Sequence, residues 1–435
     1  MFLSTVVMAT AAAGEPQPEE PAPDRGVKIS GVPILSYGTD ELLGLGAHFK
    51  LTDFGDGTRG PFLYSLEANF FATTGGVQSH WVAIDVPHLG GSPYRVTLRL
   101  AYEGAKFQPY YGLGNGSVDN NAFTECDHAS LPSPPNTCPR QSDEKPQPNP
   151  DFRGVRYYQY DLRAFPEVDL SIRRDIGGPW SWVVGYRFQL YGFKPFYSAD
   201  DLGQTTGSQL SMDAAAGKLV GWDGRSSSFD QRFIQRYAEV VTGFRFDTRD
   251  NEFAPTRGML HEVSLRGAAH FLGSESNVWG ANATLRFYQR PIPSYWRLVF
   301  ALRLLADVAS DGSPFYRAFN TGGISSEGDL SGPDGLGGRT SIRALPLDRY
   351  QGNVKLLGNA ELRWRALSIG EFELGAVVGV DAGRVWARLG QSDVGPFQVG
   401  GAVGLRVAWS HHFVIRADVG IGPTTQFYLD FGEVF

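Results

Sequence analysis

The sequence predicts an all-β protein, a 16-stranded antiparallel transmembrane β-barrel with long extracellular loops. Three observations lead there. Apolar and polar residues alternate with a period of two in one run after another. The apolar faces carry no charge and end in aromatic residues. The longest connections between runs all fall on one side of the strand count. Composition agrees with this reading. The 54 glycines among 435 residues have no period of three, which excludes collagen, and 13% aromatic residues is too high for a disordered chain. No uninterrupted apolar run reaches the roughly 18–20 residues of a membrane-spanning helix. A net charge of -7 offers no footprint for a nucleic-acid partner.

The alternation is plainest in five runs. In 94–102, Tyr94, Val96, Leu98, Leu100 and Tyr102 oppose Arg95, Thr97 and Arg99. In 277–289, Trp279, Ala281, Ala283, Leu285 and Phe287 oppose Asn282, Thr284 and Arg286. In 296–306, Trp296, Leu298, Phe300, Leu302 and Leu304 oppose Arg297 and Arg303. In 354–364, Val354, Leu356, Ala360, Leu362 and Trp364 oppose Lys355, Asn359, Glu361 and Arg363. In 397–409, Phe397, Val399, Val403, Leu405, Val407 and Trp409 oppose Gln398, Gly400, Gly404 and Arg406. A soluble sandwich also alternates. A charged, glycine-rich inner face and a charge-free outer face with aromatic ends instead suit a wet lumen and a lipid belt. A bilayer-spanning strand needs about 9–11 residues and a closed barrel, because hydrocarbon cannot satisfy a free backbone edge.

Sixteen strands are expected near 32–37, 43–52, 61–73, 77–88, 94–104, 156–174, 179–193, 233–247, 259–272, 277–290, 296–308, 350–366, 372–386, 397–409, 412–421 and 425–435. The long connections 105–155, 194–232 and 309–349 follow strands five, seven and eleven. All are odd, so all lie at one end, opposite short turns such as Leu89-Gly90-Gly91 and Ile176-Gly177-Gly178. Outer-membrane barrels have this asymmetry. Ahead of the barrel, 1–13 reads as a secretory signal peptide, with a short apolar run and cleavage after Ala13. The Pro- and Glu-rich stretch 14–26 reads as a linker, and the barrel domain occupies 27–435.

Several motifs carry a family resemblance. The last run, Thr425 to Phe435, alternates through Phe431 and looks like the C-terminal signal of bacterial outer-membrane barrels. Phe246-Asp247-Thr248-Arg249-Asp250-Asn251 followed by Pro255-Thr256-Arg257-Gly258 resembles a periplasmic turn of the BamA/TamA outer-membrane insertase superfamily, the bacterial surface-antigen barrel. Pro314-Phe315-Tyr316 and Gly338-Arg339-Thr340-Ser341-Ile342-Arg343-Ala344-Leu345 look like that family's sixth surface loop. Val380-Asp381-Ala382-Gly383-Arg384-Val385-Trp386 is similar to its thirteenth strand. The resemblance implies that the sixth loop folds back into the lumen and that Arg343 meets an acid on the wall. Asp381 matches the family acid, and Glu361, on the polar face of its strand, is a second candidate. A guanidinium can grip a carboxylate through two parallel hydrogen bonds. Ala344 and Leu345 stand where the family has glycine and an aromatic residue. Family insertases carry periplasmic POTRA domains before the barrel; 26 residues leave no room for one, so the chain resembles a POTRA-less branch.

The remaining constellations are smaller. Cys126 and Cys138 share one Pro-rich loop of an exported chain and are expected to form a local disulfide. Asp127, His128 and the pair His411-His412 match no standard metal spacing. Gly332 to Gly338 lacks the Lys-Ser/Thr of a phosphate loop and reads as flexible. No nucleophile elbow or metal helix occurs, so neither an enzyme nor a cofactor is expected. Pro33 removes a ladder donor from the first strand and is expected to mark a weak seam with the last one.

The resemblance implies a function in assisting protein insertion or translocation at the Gram-negative outer membrane. The expected partners are outer-membrane lipid, unfolded outer-membrane proteins and separate periplasmic factors, around a monomeric barrel. A pore or lipid-handling barrel and a surface partner-binding barrel are the alternatives.

Overall fold

The computed structural model describes residues 25–435 except 57–61, 116–136, 139–146, 149–154, 197–207, 222–232, 252–253, 293–296, 318–321, 325–334, 370–371, 392–394, 410–412 and 432. Sixteen strands close an antiparallel barrel in simple sequence order. They are β1 (Val27–Gly38), β2 (Leu42–Asp53), β3 (Tyr64–Thr73), β4 (Val77–Val86), β5 (Tyr94–Pro109), β6 (Gln159–Gly177), β7 (Trp180–Pro195) and β8 (Phe233–Asp247). Then come β9 (Gly258–Ala268), β10 (Val278–Gln289), β11 (Leu298–Ala309), β12 (Val354–Ile369), β13 (Phe372–Trp386), β14 (Gln398–Trp409), β15 (Phe413–Ile421) and β16 (Thr425–Phe431). Each expected strand is present, and β8 and β13 have the expected bounds. The signal segment, nearly all of the linker, Cys126 and His411-His412 lie outside the described residues. So does the side chain of Cys138, whose backbone joins a two-residue ladder with Gln147–Pro148.

The interior is polar and the exterior apolar. Among the largest fully buried side chains are Arg187, Arg303, Arg343, Arg384 and Arg416. Exposed large apolar residues include Trp279, Phe300, Leu304, Leu362, Trp364, Val399 and Leu405, the faces assigned to lipid by alternation. In water this surface would be an aggregation hazard; in a bilayer it is the solvated face.

Three strand expectations need correction. β1 is not the short strand expected near 32–37, and Pro33 does not interrupt it. It runs twelve residues and pairs with β2 throughout, with Pro33 opposite Ala47. A proline is tolerated because the other side of β1 is an edge over most of its length. The irregular partner is the last strand: β16 ends at Phe431 rather than running to Phe435. The alternation continues past that point, but lumen arginines pull Glu433, Val434 and Phe435 inside. Arg406 donates to Glu433 at 2.9 Å, and the Phe435 ring lies 5.0 Å from both the Arg303 and Arg363 guanidiniums. The expected stretch 259–272 is also shorter as a strand, because His270–Leu272 forms a 3-10 turn.

The consequence is an uneven seam. β1 and β16 share two ladder pairs, Tyr37 with Leu429 and Gly38 with Tyr428. Every other neighbouring pair of barrel strands shares between seven and fifteen. Thr39 extends the join at the loop end, where Phe427 N donates to its hydroxyl at 2.9 Å. From Val27 to Ser36, β1 has no ladder partner in β16.

Candidate functional site

The connection from β11 to β12 enters the lumen and docks on the wall made by β12–β16. Arg343 at its tip is fully buried. Its Nε and Nη2 donate to the two oxygens of Asp381 at 2.9 and 3.0 Å, and its Nη1 donates to Glu361 at 2.6 Å. The Arg343 backbone N–H also donates to Asp381 at 3.1 Å. The structure thus brings together the three residues singled out in the sequence. Each acid is oriented in turn: Asn359 donates to Asp381 at 2.7 Å, and Arg363 donates to Glu361 at 2.9 Å. A buried ion pair repays its desolvation only with such complete hydrogen bonding.

Two features of this site are not evident from the sequence. Asp418 is a third acid, 3.8 Å from Arg343 and also held by Arg406 and Arg416. The wall under the tip is also bare. A Cβ on Gly420 would lie 2.0 Å from the Arg343 carbonyl oxygen, and one on Gly400 would lie 2.4 Å from the Ala344 Cβ. These glycines provide space rather than an unusual backbone conformation. They also explain why Ala344 is accommodated: the small side is on the wall. Glycine on the polar face of an alternating strand, as at Gly400, was the available signal. The Ala344 carbonyl then accepts from the Thr424 hydroxyl at 2.8 Å.

Below the tip, Leu336, Ile342, Leu345 and Tyr350 pack against Leu305, Leu357 and Val385 in a buried apolar cluster. Gly335–Gly338, expected to be flexible, is fixed here. Gly335 N donates to Asp348 at 2.9 Å, and Gly337 N donates to the Ser341 hydroxyl at 2.8 Å. A second cluster spans the outer mouth. There Phe315 and Tyr316 meet Tyr160, Tyr191, Phe193 and the helix α1 (Gln209–Ala215) through Leu210 and Ala214.

The same loop reaches both sides of the seam. Arg339 donates to Glu41, in the β1–β2 turn, at 2.7 Å and lies 3.5 Å from Asp430 of β16. Leu347 N donates to Asp40 at 2.9 Å. The β1–β2 turn and β16 are therefore tied through the loop as well as through their short ladder.

At the other end, Asp250 organises the turn after β8. It accepts from Thr256 N at 2.8 Å and Arg257 N at 3.2 Å. Burial alone would raise its pKa; the Thr256 hydroxyl and these backbone bonds outweigh that and hold it below the usual carboxylate range. Pro33 lies on the unpaired stretch of β1, and Phe431 is the last residue of β16. Phe435 sits inside the lumen rather than on the wall. Among the described residues no group of His, Cys, Asp and Glu side chains is arranged to hold a metal ion.

Comparison with known proteins places this geometry. The Omp85 superfamily domain matches residues 157–435. No curated protein matches the sequence. BamA from Haemophilus ducreyi, in a crystal structure lacking POTRA domains 1–3, superposes with a TM-score of 0.57 at 12% identity, covering 94% of this chain and 70% of that one. CdiB from Escherichia coli superposes with a TM-score of 0.50 at 11% identity, covering 95% of this chain and 64% of that one. At such identities the likeness is one of fold. The domain match covers well over half of the chain, which therefore belongs to the Omp85 superfamily as an outer-membrane β-barrel.

Proposed function

We propose that this barrel assists insertion or translocation of proteins at the Gram-negative outer membrane, and that it does so at the seam between β1 and β16. The observation that carries the reading is the seam itself, two ladder pairs against seven to fifteen elsewhere. Each missing pair leaves backbone donors and acceptors that hydrocarbon cannot satisfy. A client strand satisfies them by adding to the β1 edge, the same main-chain recognition that joins an extended peptide to a sheet. In this reading the barrel is an integral monomer within outer-membrane lipid. Its clients are unfolded outer-membrane proteins, delivered by separate periplasmic factors, and no catalytic chemistry is involved.

The sixth loop docked inside the lumen and the apolar cluster at the outer mouth favour this reading over an open pore. The test is a disulfide across the seam, Gly38→Cys with Tyr428→Cys, which are direct ladder partners. In liposomes the oxidised protein should lose its ability to speed insertion of an unfolded barrel, and reductant should restore it. Equal activity in both redox states would overturn the proposal.

A further inference from the structure

The turn end of the lumen holds a cavity of about 330 Å³ that the seam and the sixth loop do not use. Four arginines line it, Arg95, Arg173, Arg245 and Arg249, together with Asp175, Asp247 and Trp180. Their placement follows from register. Arg95 of β5 sits directly opposite Arg173 of β6, an arrangement that like charges make unfavourable. Arg245 of β8 sits opposite Ser181 of β7, which is itself opposite Asp175 of β6.

The available carboxylates do not complete the site. Asp85 takes Arg95, with Nε donating at 2.7 Å. Asp247 is shared between Arg245 at 2.8 Å and Arg249 at 2.9 Å. The Arg173 Nε is 3.8 Å from Asp175, whose side chain is 72% exposed. The buried Nε atoms of both Arg173 and Arg245 have no hydrogen-bond partner among the described residues. Buried donors without acceptors are costly, and guanidiniums are the side chains best shaped to grip a tetrahedral oxyanion. Four guanidiniums against three carboxylates around one cavity leave the site one anion short.

We infer that this cavity at the turn end of the lumen binds a phosphate group, supplied either by free phosphate or by a phosphorylated lipid headgroup. Arg173, which has only the distant and exposed Asp175 as a partner, and Arg245 present their guanidiniums to the ligand, and Arg249 lines the same cavity.

The test uses the full chain. Inorganic phosphate is titrated by calorimetry into the detergent-purified barrel, and short-chain phosphatidic acid into the barrel in phosphatidylcholine nanodiscs. Saturable binding of either identifies the site, and the stronger of the two identifies the source. Arg173→Gln should weaken binding about 10-fold or more, the loss of one charge-assisted pair. The same substitution should leave the ligand-free melting temperature unchanged or higher, because it removes the Arg95–Arg173 repulsion. Arg173→Lys keeps the charge without the fork and should fall between. Absence of saturable binding in both arms, or equal binding by wild type and both variants, would overturn the inference. A purely structural arginine would instead lower the melting temperature on substitution and leave phosphate without effect.

Discussion

Replacing Arg343 with alanine is expected to release the sixth loop from the lumen wall and to destabilise the docked loop by about 3–5 kcal/mol, the cost of removing one partner from a buried ion pair. The reason is the state left behind. Asp381 and Glu361 are fully buried and accept together from one guanidinium. Without it, two carboxylates face each other with Asp418 nearby. The lumen then rehydrates, which requires the loop to move. Limited proteolysis reads this directly: cleavage within 335–350 should become fast in the variant and stay slow in the wild type, while the barrel keeps its heat-resistant mobility. Arg343→Lys should recover only part of the protection. An ammonium reaches one carboxylate as a point charge and cannot form the fork to Asp381 while also reaching Glu361. Slow cleavage in the alanine variant would show that the apolar contacts of Leu336, Ile342 and Leu345 hold the loop without the ion pair.

Gly420→Ala should have nearly the same consequence while leaving every charge in place. The added methyl would lie 2.0 Å from the Arg343 carbonyl oxygen and 2.7 Å from Ala344 N. Both neighbours are backbone, so neither a rotamer change nor a flexible side chain relieves the overlap. Overpacking of this kind costs typically about 1–3 kcal/mol. The expected result is the same proteolytic opening at 335–350, and Gly267→Ala is the control, since a Cβ there meets nothing within 4 Å. Protection equal to wild type would mean that β15 shifts instead, and that the glycine wall is not what seats the loop.

Alternation made most of the fold legible. Lumen and lipid faces were separable residue by residue because each strand crosses between two solvents, and the parity of the long connections checked the count. The ion pair was legible because the loop motif and the strand motif each carry a resemblance. What failed to show was cooperation between distant positions. Pro33 reads in the sequence as the mark of a weak seam within a short strand; the missing partner on its β16 side is what lets β1 continue through it for twelve residues. The tail 425–435 alternates like a strand, and its turn into the lumen depends on Arg303, Arg363 and Arg406 from three other strands. Gly400 and Gly420 looked like ordinary inner-wall positions until a loop tip lay against them. The Arg95–Arg173 opposition required the register of two strands separated by a long loop.

The barrel is weak at the β1–β16 seam and locked where the sixth loop meets the lumen wall. Backbone hydrogen exchange in nanodiscs measures both at once, because local opening sets the exchange rate. Amides of β12 and β13, which share fifteen ladder pairs, and those of 336–345 should be strongly protected. Amides on the unpaired side of Val27–Ser36 should exchange faster by at least about 100-fold, since opening there breaks no ladder. Uniform protection around the whole barrel, with β1 as slow as β12, would mean that the seam is no weaker than the rest of the wall.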